Sequence, residues 1–430
     1  MLFRHIDALR ADGTLLPEVF VGVRDKRIAY IGSEEPAGDW GEAVDGADYL
    51  MIPGLINSHT HVAMTLMRGY GDDMPLDRWL NDRIFPFEDK LTGEDVYWGS
   101  LLGIAEMLSS GTTSFSDMYY FCDRVAQAVR ESGIKANIGR GISCFDPDKR
   151  FADLPAYREL AELLGSVHGE DDGRILIDVA PHSEYTTRPD ILADTAQLAA
   201  DYRARMQVHV SETRKEHLEC VERHGMTPAQ VLEKVGVLDQ PVTAAHCVWL
   251  SEADMARFAA HGVTAAHCPK SNLKLASGIA QVEKMQRMGL RVALGTDSAA
   301  SNNALDMLEE MRTAALIAKG VSLDPCALPA GRVLYMATRE GALAQGREDC
   351  GDIAEGMRAD LVLLRRDSTR MTPCCHSALS NLLYAAQSAD VAMTMADGRV
   401  LYRDGAFPTL DIERIRWETN RCVAQLLKRT

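Results

Sequence analysis

Histidine and carboxylate side chains recur where short apolar segments of this chain end. His59 and His61 are two residues apart, a spacing that puts both side chains on one face of a strand, about 7 Å apart along the backbone. Two solvated loop histidines would show the same spacing. His209 and Asp297 end other apolar segments, and three histidines with one aspartate suit Zn²⁺ or Fe²⁺ rather than Ca²⁺ or Mg²⁺. We therefore predict a metal site formed by His59, His61, His209 and Asp297.

Two further groups are candidates for proton transfer. Glu212 follows His209 by three residues, and from there its carboxylate can reach the same space and act on a metal-activated water. A glutamate that begins a helix would look the same, but His209 and His246 nearby favour acid–base chemistry. His267 also ends an apolar segment, where it is interpreted either as a helper of the site or as a buried structural histidine.

The segments that carry these residues alternate with helical patterns, which is typical of parallel β/α units. Eight parallel strands, each followed by a helix, form a closed (β/α)8 TIM-like barrel whose active site lies at the carboxyl ends of the strands. The predicted strands are Tyr49–Asn57, Gly111–Asp117, Ala136–Ile142, Ile175–Ala180, Met206–Val210, Val242–His246, Val263–His267 and Val292–Asp297. The predicted helices include Val96–Ser109, Asp123–Ser132, Asp190–Ala199, Thr227–Val235, Glu252–His261 and Leu305–Lys319.

Both ends of the chain have a different pattern, with short strands separated by turns. Phe20–Arg24 and Arg27–Gly32 are predicted strands near the start, and Ala359–Leu364 and Val391–Tyr402 are predicted near the end. Neither end could bury a sheet alone. We therefore expect an α/β protein in which residues 1–52 and 355–430 form a composite β-sandwich domain, and residues 53–354 form the catalytic barrel.

Composition restricts the partners of this chain. Its 430 residues are 46% hydrophobic and carry a formal net charge of −16, and no Lys/Arg-rich run provides a basic face for nucleic acid. No stretch approaches the roughly 18 apolar residues of a membrane span. Ten scattered cysteines and the lack of an export signal indicate reduced thiols in the cytoplasm.

Five sequence blocks contain most of these candidate residues. The blocks are Pro53–His61 (PGLINSHTH), His209–Thr213 (HVSET), Ala245–Cys247 (AHC), Cys268–Asn272 (CPKSN) and Gly295–Asn303 (GTDSAASNN). They resemble the amidohydrolase superfamily, and the resemblance covers nearly the whole chain. It is to the branch that holds cytosine-, guanine- and adenosine-type deaminases and triazine hydrolases, and within that branch to the 5-methylthioadenosine/S-adenosylhomocysteine deaminases.

The resemblance implies a role for each of these positions. His59, His61, His209 and Asp297 would hold the metal, and Glu212, His246 and Asp297 would be catalytic. Members with two metals use a carbamylated lysine on strand 4, and Ile175–His182 contains no lysine, so one divalent ion is expected, zinc with iron as the alternative. Substrate contacts are expected from Trp79, Glu88, Arg140, Arg150, His182, Glu212 and Asp297.

Some of these substrate contacts have a second interpretation. The segment Val62–Thr92 is a predicted lid, in which Trp79 could cover a purine face or simply pack the loop. Glu88 in the same segment could accept hydrogen bonds from two ribose hydroxyls. Arg140 and Arg150 could bind the 5′ substituent of the substrate, or could pair with nearby aspartates (Asp146, Asp148 and Asp153).

The implied reaction is the hydrolytic deamination of adenine nucleosides with a 5′-thioether. It converts methylthioadenosine to methylthioinosine and S-adenosylhomocysteine to S-inosylhomocysteine, with a small nucleoside as the partner and a homo-oligomer left open. The main alternative is an aminohydrolase for another ring, such as adenosine or 5′-deoxyadenosine, guanine, cytosine or a triazine. A cyclic amide hydrolase would need the missing lysine, and a non-catalytic scaffold would not need the full set of ligands with Glu212 and His246.

Overall fold

Two sheets organise the computed structural model, which describes residues 1–429 except for the side chains of residues 76 and 77. One sheet has the strand order β16-β15-β14-β5-β1-β2-β3 with β4 beside β1, and the other runs from β6 to β13 in sequence order. The strands in this range are β1 (Leu2–Leu9), β2 (Leu15–Arg24), β3 (Arg27–Gly32), β4 (Ala43–Asp45), β5 (Tyr49–Pro53), β6 (Leu55–Thr60), β7 (Thr112–Tyr119), β8 (Lys135–Ile142), β9 (Ile175–Pro181), β10 (Met206–Val210), β11 (Val242–His246), β12 (Thr264–His267), β13 (Arg291–Leu294), β14 (Leu361–Arg365), β15 (Val391–Ala396) and β16 (Arg399–Arg403).

Helices separate the strands of the second sheet, and several begin at side chains that cap them. Thr92, Thr213 and Ser251 each accept a hydrogen bond from the backbone N–H three residues later, which satisfies a free donor of the first turn. The α-helices are α1 (Leu76–Trp79), α2 (Phe85–Glu88), α3 (Gly93–Ser109), α4 (Cys122–Ser132), α5 (Pro155–Ser166), α6 (Glu170–Gly173), α7 (Pro189–Tyr202), α8 (Arg214–His224), α9 (Pro228–Lys234), α10 (Glu252–Ala260), α11 (Pro269–Lys274), α12 (Val282–Arg287), α13 (Met307–Ser322), α14 (Ala330–Ala337), α15 (Arg339–Ala344), α16 (Ala378–Tyr384) and α17 (Ile412–Arg429). Short 3₁₀ helices cover Val62–Met67, Phe151–Asp153, Val237–Asp239 and Ser388–Asp390, and a π-helical turn covers Leu80–Ile84. None of the helices described is long and apolar enough to span a membrane.

Strands β6 to β13 form the predicted barrel, and neighbours in this order pair in parallel. The seam between β13 and β6 is held by Asp297, whose backbone N–H donates to the carbonyl of His59 (2.9 Å). The side chain of Asn57 also accepts from the backbone N–H of Thr296 (3.0 Å) and donates to its hydroxyl (2.7 Å). Gly295 must lack a side chain here, because a Cβ would lie 2.8 Å from the backbone nitrogen of His59.

The predicted first strand, Tyr49–Asn57, is wrong as a single element. Its apolar run contains both β5, which belongs to the terminal sheet, and β6, which opens the barrel. Gly54 separates them, and its N–H donates to the carbonyl of Asp360 (2.8 Å). A Cβ at Gly54 would lie 2.2 Å from the hydroxyl of Thr113, so the chain passes between the two sheets where only glycine fits.

The terminal sheet confirms that both chain ends build one β-domain. Alternate residues of β5 face two cores: Met51 packs in the domain's own core, whereas Leu50 and Ile52 pack in the barrel core, as the two-residue period of a strand requires. The predicted strand Val391–Tyr402 is also wrong as one element, because it is the hairpin β15–β16. Asp397 (φ +47°) and Gly398 (φ +72°) form its turn.

The β-domain is attached to the base of the barrel by a buried ion pair. The Lys135 ammonium on β8 contacts the carboxylates of Asp360 and Asp397, and all three side chains are buried. Helix α17 packs on barrel helix α3, where the hydroxyl of Thr419 donates to the carbonyl of Trp98 (3.3 Å). We propose residues 1–52 and 355–430 as the β-domain and residues 53–354 as the barrel. Helix α17 belongs to the C-terminal segment of the β-domain but packs on the barrel.

Candidate metal centre and active site

The structure brings the four predicted metal ligands together at the carboxyl ends of the barrel strands. The Nε2 atoms of His61 and His59 lie 3.3 Å and 3.7 Å from Oδ1 of Asp297. Nε2 of His209 lies 3.4 Å from Nε2 of His61. His246 extends the group, because His59, His209 and His246 offer ring nitrogens within 4.8 Å of one another.

The chemistry of these atoms fits a cation. Nδ1 of His61 lies against the carbonyl of Met118, and Nδ1 of His209 lies 2.7 Å from the carbonyl of His182. Because a carbonyl can only accept, both Nδ1 atoms carry a proton, and in the neutral form of each ring the Nε2 lone pair faces the centre. Nε2 of His59 is buried and has no hydrogen-bond partner among the described residues. Lone pairs and a carboxylate oxygen that converge without a donor fit a divalent metal ion.

Asp297 is oriented by two serines that the sequence did not single out. The hydroxyls of Ser271 and Ser301 donate to Oδ2 at 2.6 Å and 2.8 Å, which leaves Oδ1 directed at the histidines. Burial opposes ionisation of Asp297, but the hydrogen bond and charge of His61, when that ring is protonated, hold the pKa of Asp297 well below the ordinary value. The carboxylate is therefore ionised and fixed in place.

The backbone turns sharply where the strands deliver these side chains. Ser211 (φ +49°), His246 (φ +69°) and Asp297 (φ +59°) all adopt the left-handed conformation, which costs of order 1–3 kcal/mol at a non-glycine residue. All three follow or end strands β10, β11 and β13 at the mouth of the barrel. Strained residues of this kind cluster at functional sites. Here His246 and Asp297 themselves line the pocket, and the turn at Ser211 precedes Glu212, which lines it too.

Glu212 and His246 face each other beside the proposed metal site. Oε2 of Glu212 lies 3.9 Å from Nε2 of His246, and its Oε1 accepts a hydrogen bond from the hydroxyl of Ser277 (3.2 Å). Nδ1 of His246 donates to the amide oxygen of Asn272 (2.9 Å). Both groups are thus held by partners of their own, and both line the pocket above the centre.

A second glutamate fixes the loop that carries Glu212. The buried carboxylate of Glu216 accepts from the backbone N–H of Ser211 (2.8 Å) and of Glu212 (2.7 Å). Burial and the charge of Glu212 raise the pKa of Glu216 to about 7. Sequence reasoning missed Glu216, although its position three residues after Thr213 is the spacing of a helix capping box.

Most of the predicted substrate contacts line one pocket above this centre. Trp79, Glu88, His182, Glu212 and Asp297 all contribute to its wall. Burial raises the pKa of Glu88 to about 7, and burial with the charges of His61 and His246 lowers that of His182 to about 4. Residues that the sequence did not single out complete the wall, among them Met64, Leu80, Ile84, Met118, Tyr119, Tyr120, Tyr185, Leu275 and Ser298.

The predicted lid, Val62–Thr92, is a chain of short helical turns rather than an open loop. Trp79 is buried and Phe85 is partly exposed, and both line the pocket. Phe87 instead packs in the barrel core, with its ring 5.3 Å from that of Tyr70. The position of Trp79 therefore fits the covering of a purine. Phe85 lies in the same pocket wall, whereas Phe87 only packs the segment against the core.

The two predicted arginines are placed differently. Arg140 lines a cleft of about 430 Å³ that shares Glu88 and His182 with the pocket, and its Nε donates to Glu159 (2.6 Å). The structure does not bring Arg150 to the pocket: its side chain is 81% exposed, and Nε lies 3.5 Å from Asp153. His267 is also outside the pocket wall, as a buried barrel histidine whose pKa burial lowers to about 3.

Comparison with known proteins agrees with this geometry. The profile of the amidohydrolase family matches residues 50–401. The chain belongs to the amidohydrolase family. A 5′-deoxyadenosine deaminase of Methanothermobacter thermautotrophicus is 45% identical over 94% of both chains. A 5-methylthioadenosine/S-adenosylhomocysteine deaminase of Dictyoglomus thermophilum is 43% identical over 90% of both. The crystal structure of an adenosine deaminase from Xanthomonas campestris with bound zinc superposes with a TM-score of 0.93 at 33% identity, over 99% of this chain and 98% of that one.

In this amidohydrolase the lysine-free strand β9 lies next to β10, which carries His209. Position 178, in the middle of β9, holds an aspartate whose carboxylate accepts hydrogen bonds from the side-chain amides of Asn137 (3.0 Å) and Gln207 (2.9 Å). Asp178 thus belongs to a buried amide network in the barrel interior. The described residues of β9 offer no ligand for a second ion.

Proposed function

We propose that this amidohydrolase deaminates adenine nucleosides with a 5′-thioether by hydrolysis. Methylthioadenosine would give methylthioinosine, and S-adenosylhomocysteine would give S-inosylhomocysteine. The observation that carries the proposal is the Glu212–His246 pair, 3.9 Å apart beside the grouped metal ligands. Deamination of a ring requires a proton donor for the ring nitrogen and a group that holds the attacking oxygen. The names of the relatives support the substrate class. An aminohydrolase for adenosine or 5′-deoxyadenosine, guanine, cytosine or a triazine is the alternative.

One divalent metal ion per chain, zinc with iron as the alternative, completes the proposed site. His59, His61, His209 and Asp297 would hold it, since their free ring nitrogens and carboxylate oxygen converge. This donor set suits zinc, and the related Xanthomonas deaminase contains zinc.

When bound, the ion would supply the Lewis acidity that makes a water molecule easy to deprotonate near neutral pH. Asp297 accepts a proton from the attacking water, whose oxygen adds to the ring carbon that bears the amino group. Glu212 donates a proton to the adjacent ring nitrogen, and His246 holds the attacking oxygen by a hydrogen bond. The proton on Asp297 passes to the amine, the C–N bond breaks and ammonia leaves. The remaining hydroxyl proton returns to Glu212, and a hypoxanthine-type ring is released.

The nucleoside would occupy the pocket lined by Trp79, Glu88 and His182. Trp79 would cover the purine, and Glu88 would accept hydrogen bonds from ribose hydroxyls. We propose that Arg140 and Arg150 bind the 5′ substituent, although the structure places the two arginines differently. Arg140 already lines the adjoining cleft, whereas Arg150 would have to leave Asp153 and turn toward it.

We further propose that the enzyme works in the cytoplasm on small molecules and does not bind nucleic acid. All ten cysteines of the described chain are free thiols, which is usual in a reducing compartment. The net charge of −16 repels polyanions. A homo-oligomer remains part of the proposal without a described interface.

Ammonia release from a panel of substrates tests the proposed function. The zinc-loaded enzyme should release ammonia from methylthioadenosine and S-adenosylhomocysteine with a higher kcat/KM than from guanine, cytosine or a triazine. Adenosine and 5′-deoxyadenosine distinguish a preference for the thioether from a general preference for adenine nucleosides. Faster turnover of any free base would replace the proposal by the alternative.

Arg140 provides a test of the 5′ subsite. Replacing Arg140 by methionine should lower kcat/KM for S-adenosylhomocysteine about ten-fold, because a guanidinium–carboxylate hydrogen bond contributes roughly 1.5–3 kcal/mol. Methylthioadenosine has no carboxylate and should be affected much less. Arg150→Met, measured on the same two substrates, shows whether the exposed arginine contributes. Equal losses on both substrates would mean that Arg140 shapes the cleft through Glu159 rather than reading the carboxylate.

A further inference from the structure

Tyr119 occupies a position in the pocket that the proposed mechanism does not use. It is the last residue of β7, so it reaches the mouth of the barrel beside β6 and its metal-ligating histidines. Its ring lies 6.3 Å from that of His61 and 5.1 Å from that of Tyr120. The side chain lines the same wall of the pocket as Glu88.

The hydroxyl of Tyr119 is buried beside the Glu88 carboxylate, with which it interacts. It has no other hydrogen-bond partner among the described residues. A hydroxyl can donate one hydrogen bond and accept others, so the Tyr119 hydroxyl in the pocket wall has capacity for a polar group of a ligand that binds beside Glu88. Burial and the charge of the neighbouring Glu88 raise the pKa of Tyr119 well above the ordinary value. The phenol is therefore neutral and can donate a hydrogen bond.

We propose that the Tyr119 hydroxyl recognises the ribose of the substrate together with Glu88. One ribose hydroxyl donates to the Glu88 carboxylate, and the Tyr119 O–H donates to the oxygen of that same hydroxyl. Both the donor and the acceptor capacity of the sugar group are then used. Tyr119 thereby becomes a specificity-determining residue that separates ribonucleosides from deoxynucleosides. This inference rests on the proposed nucleoside deamination.

The experiment removes each partner of this hydrogen bond separately. Tyr119→Phe deletes only the phenolic oxygen, and 2′-deoxyadenosine and 3′-deoxyadenosine each delete one sugar hydroxyl relative to adenosine. Tyr119→Phe should lower kcat/KM for adenosine about ten-fold, the value of a typical lost hydrogen bond. It should change kcat/KM by less than about two-fold for the deoxynucleoside that lacks the recognised hydroxyl, because the interaction is already absent there.

Two controls separate recognition from a structural effect. Tyr97→Phe removes a tyrosine hydroxyl that donates to Glu131 on the surface (2.6 Å), and it should leave all three substrates unaffected. Thermal unfolding should show that Tyr119→Phe is folded at the assay temperature, so that a loss of kcat/KM confined to adenosine comes from the lost contact with the substrate.

The outcomes distinguish this inference from the function on which it rests. Equal losses on adenosine and both deoxynucleosides, or no loss on adenosine, would overturn the role of Tyr119 while leaving nucleoside deamination intact. If the wild-type enzyme released ammonia from no adenine nucleoside, the proposed function itself would be overturned. A loss confined to substrates that carry one particular ribose hydroxyl supports the proposal and identifies that hydroxyl.

Discussion

Replacing Glu212 by glutamine should leave the metal bound and lower kcat by about 10²–10⁴-fold, the range of general acid–base catalysis. The glutamine keeps the shape of the side chain and can still accept from Ser277, which is 3.2 Å from Oε1 in the structure. It cannot, however, give a proton to the ring nitrogen. Because the four proposed ligands are unchanged, zinc content measured by atomic absorption should stay at about one ion per chain.

Glu222→Gln is the matched control for this prediction. Glu222 is exposed and lies on α8, the helix that follows the Glu212 loop, so the same change of charge occurs away from the pocket. Its kcat and KM should equal those of the wild type. A Glu212→Gln enzyme with near-normal kcat would show that Glu212 is structural and that another group protonates the ring. A variant that lost zinc would show that Glu212 helps to hold the metal.

The positions of the candidate ligands could be predicted because sequence order alone determines where they go. In a barrel of parallel strands every carboxyl end faces one mouth, so His59, His209 and His246 converge wherever the exact strand limits lie. The predicted positions of the site residues were therefore unaffected by the wrong strand limits at Tyr49–Asn57. In that segment β5 is buried on both faces, so apolar and polar residues do not alternate along it. The continuous apolar run therefore gives no sign that the chain leaves one sheet and enters the other.

The predictions that failed concerned the directions of individual side chains, which the hydrophobic periodicity of a sequence does not determine. Arg150 follows β8 by eight residues, and the path of that loop leaves its side chain 81% exposed. Ser271 and Ser301 are common residue types whose role appears only when Asp297 is placed between them. Tyr119 could have been found from its place at the end of a barrel strand, but an aromatic residue there is equally consistent with packing.

The largest effects should come from removing a proposed metal ligand. His61→Ala deletes a nitrogen that faces Oδ1 of Asp297 at 3.3 Å, and Asp297→Asn removes the negative charge that opposes the cation. Loss of a residue that only hydrogen-bonds to a metal ligand already lowers metal affinity about 10–100-fold. Loss of a direct ligand should therefore lower the affinity for zinc by more than about 100-fold. Deamination should then fall to background at any zinc concentration that the wild type needs for full activity.

Thermal unfolding gives a readout of the same prediction that does not depend on activity. A ligand that binds only the folded state raises the melting temperature, so zinc should raise Tm of the wild type after chelation and should not raise that of His61→Ala or Asp297→Asn. His376→Ala, which removes an exposed histidine of the segment before α16, should respond to zinc as the wild type does. If His61→Ala kept one zinc ion and the Tm shift, His61 would lie outside the metal centre. Nε2 of His59 has no hydrogen-bond partner among the residues that the structure describes, so the proposed site would then have to consist of His59, His209 and His246.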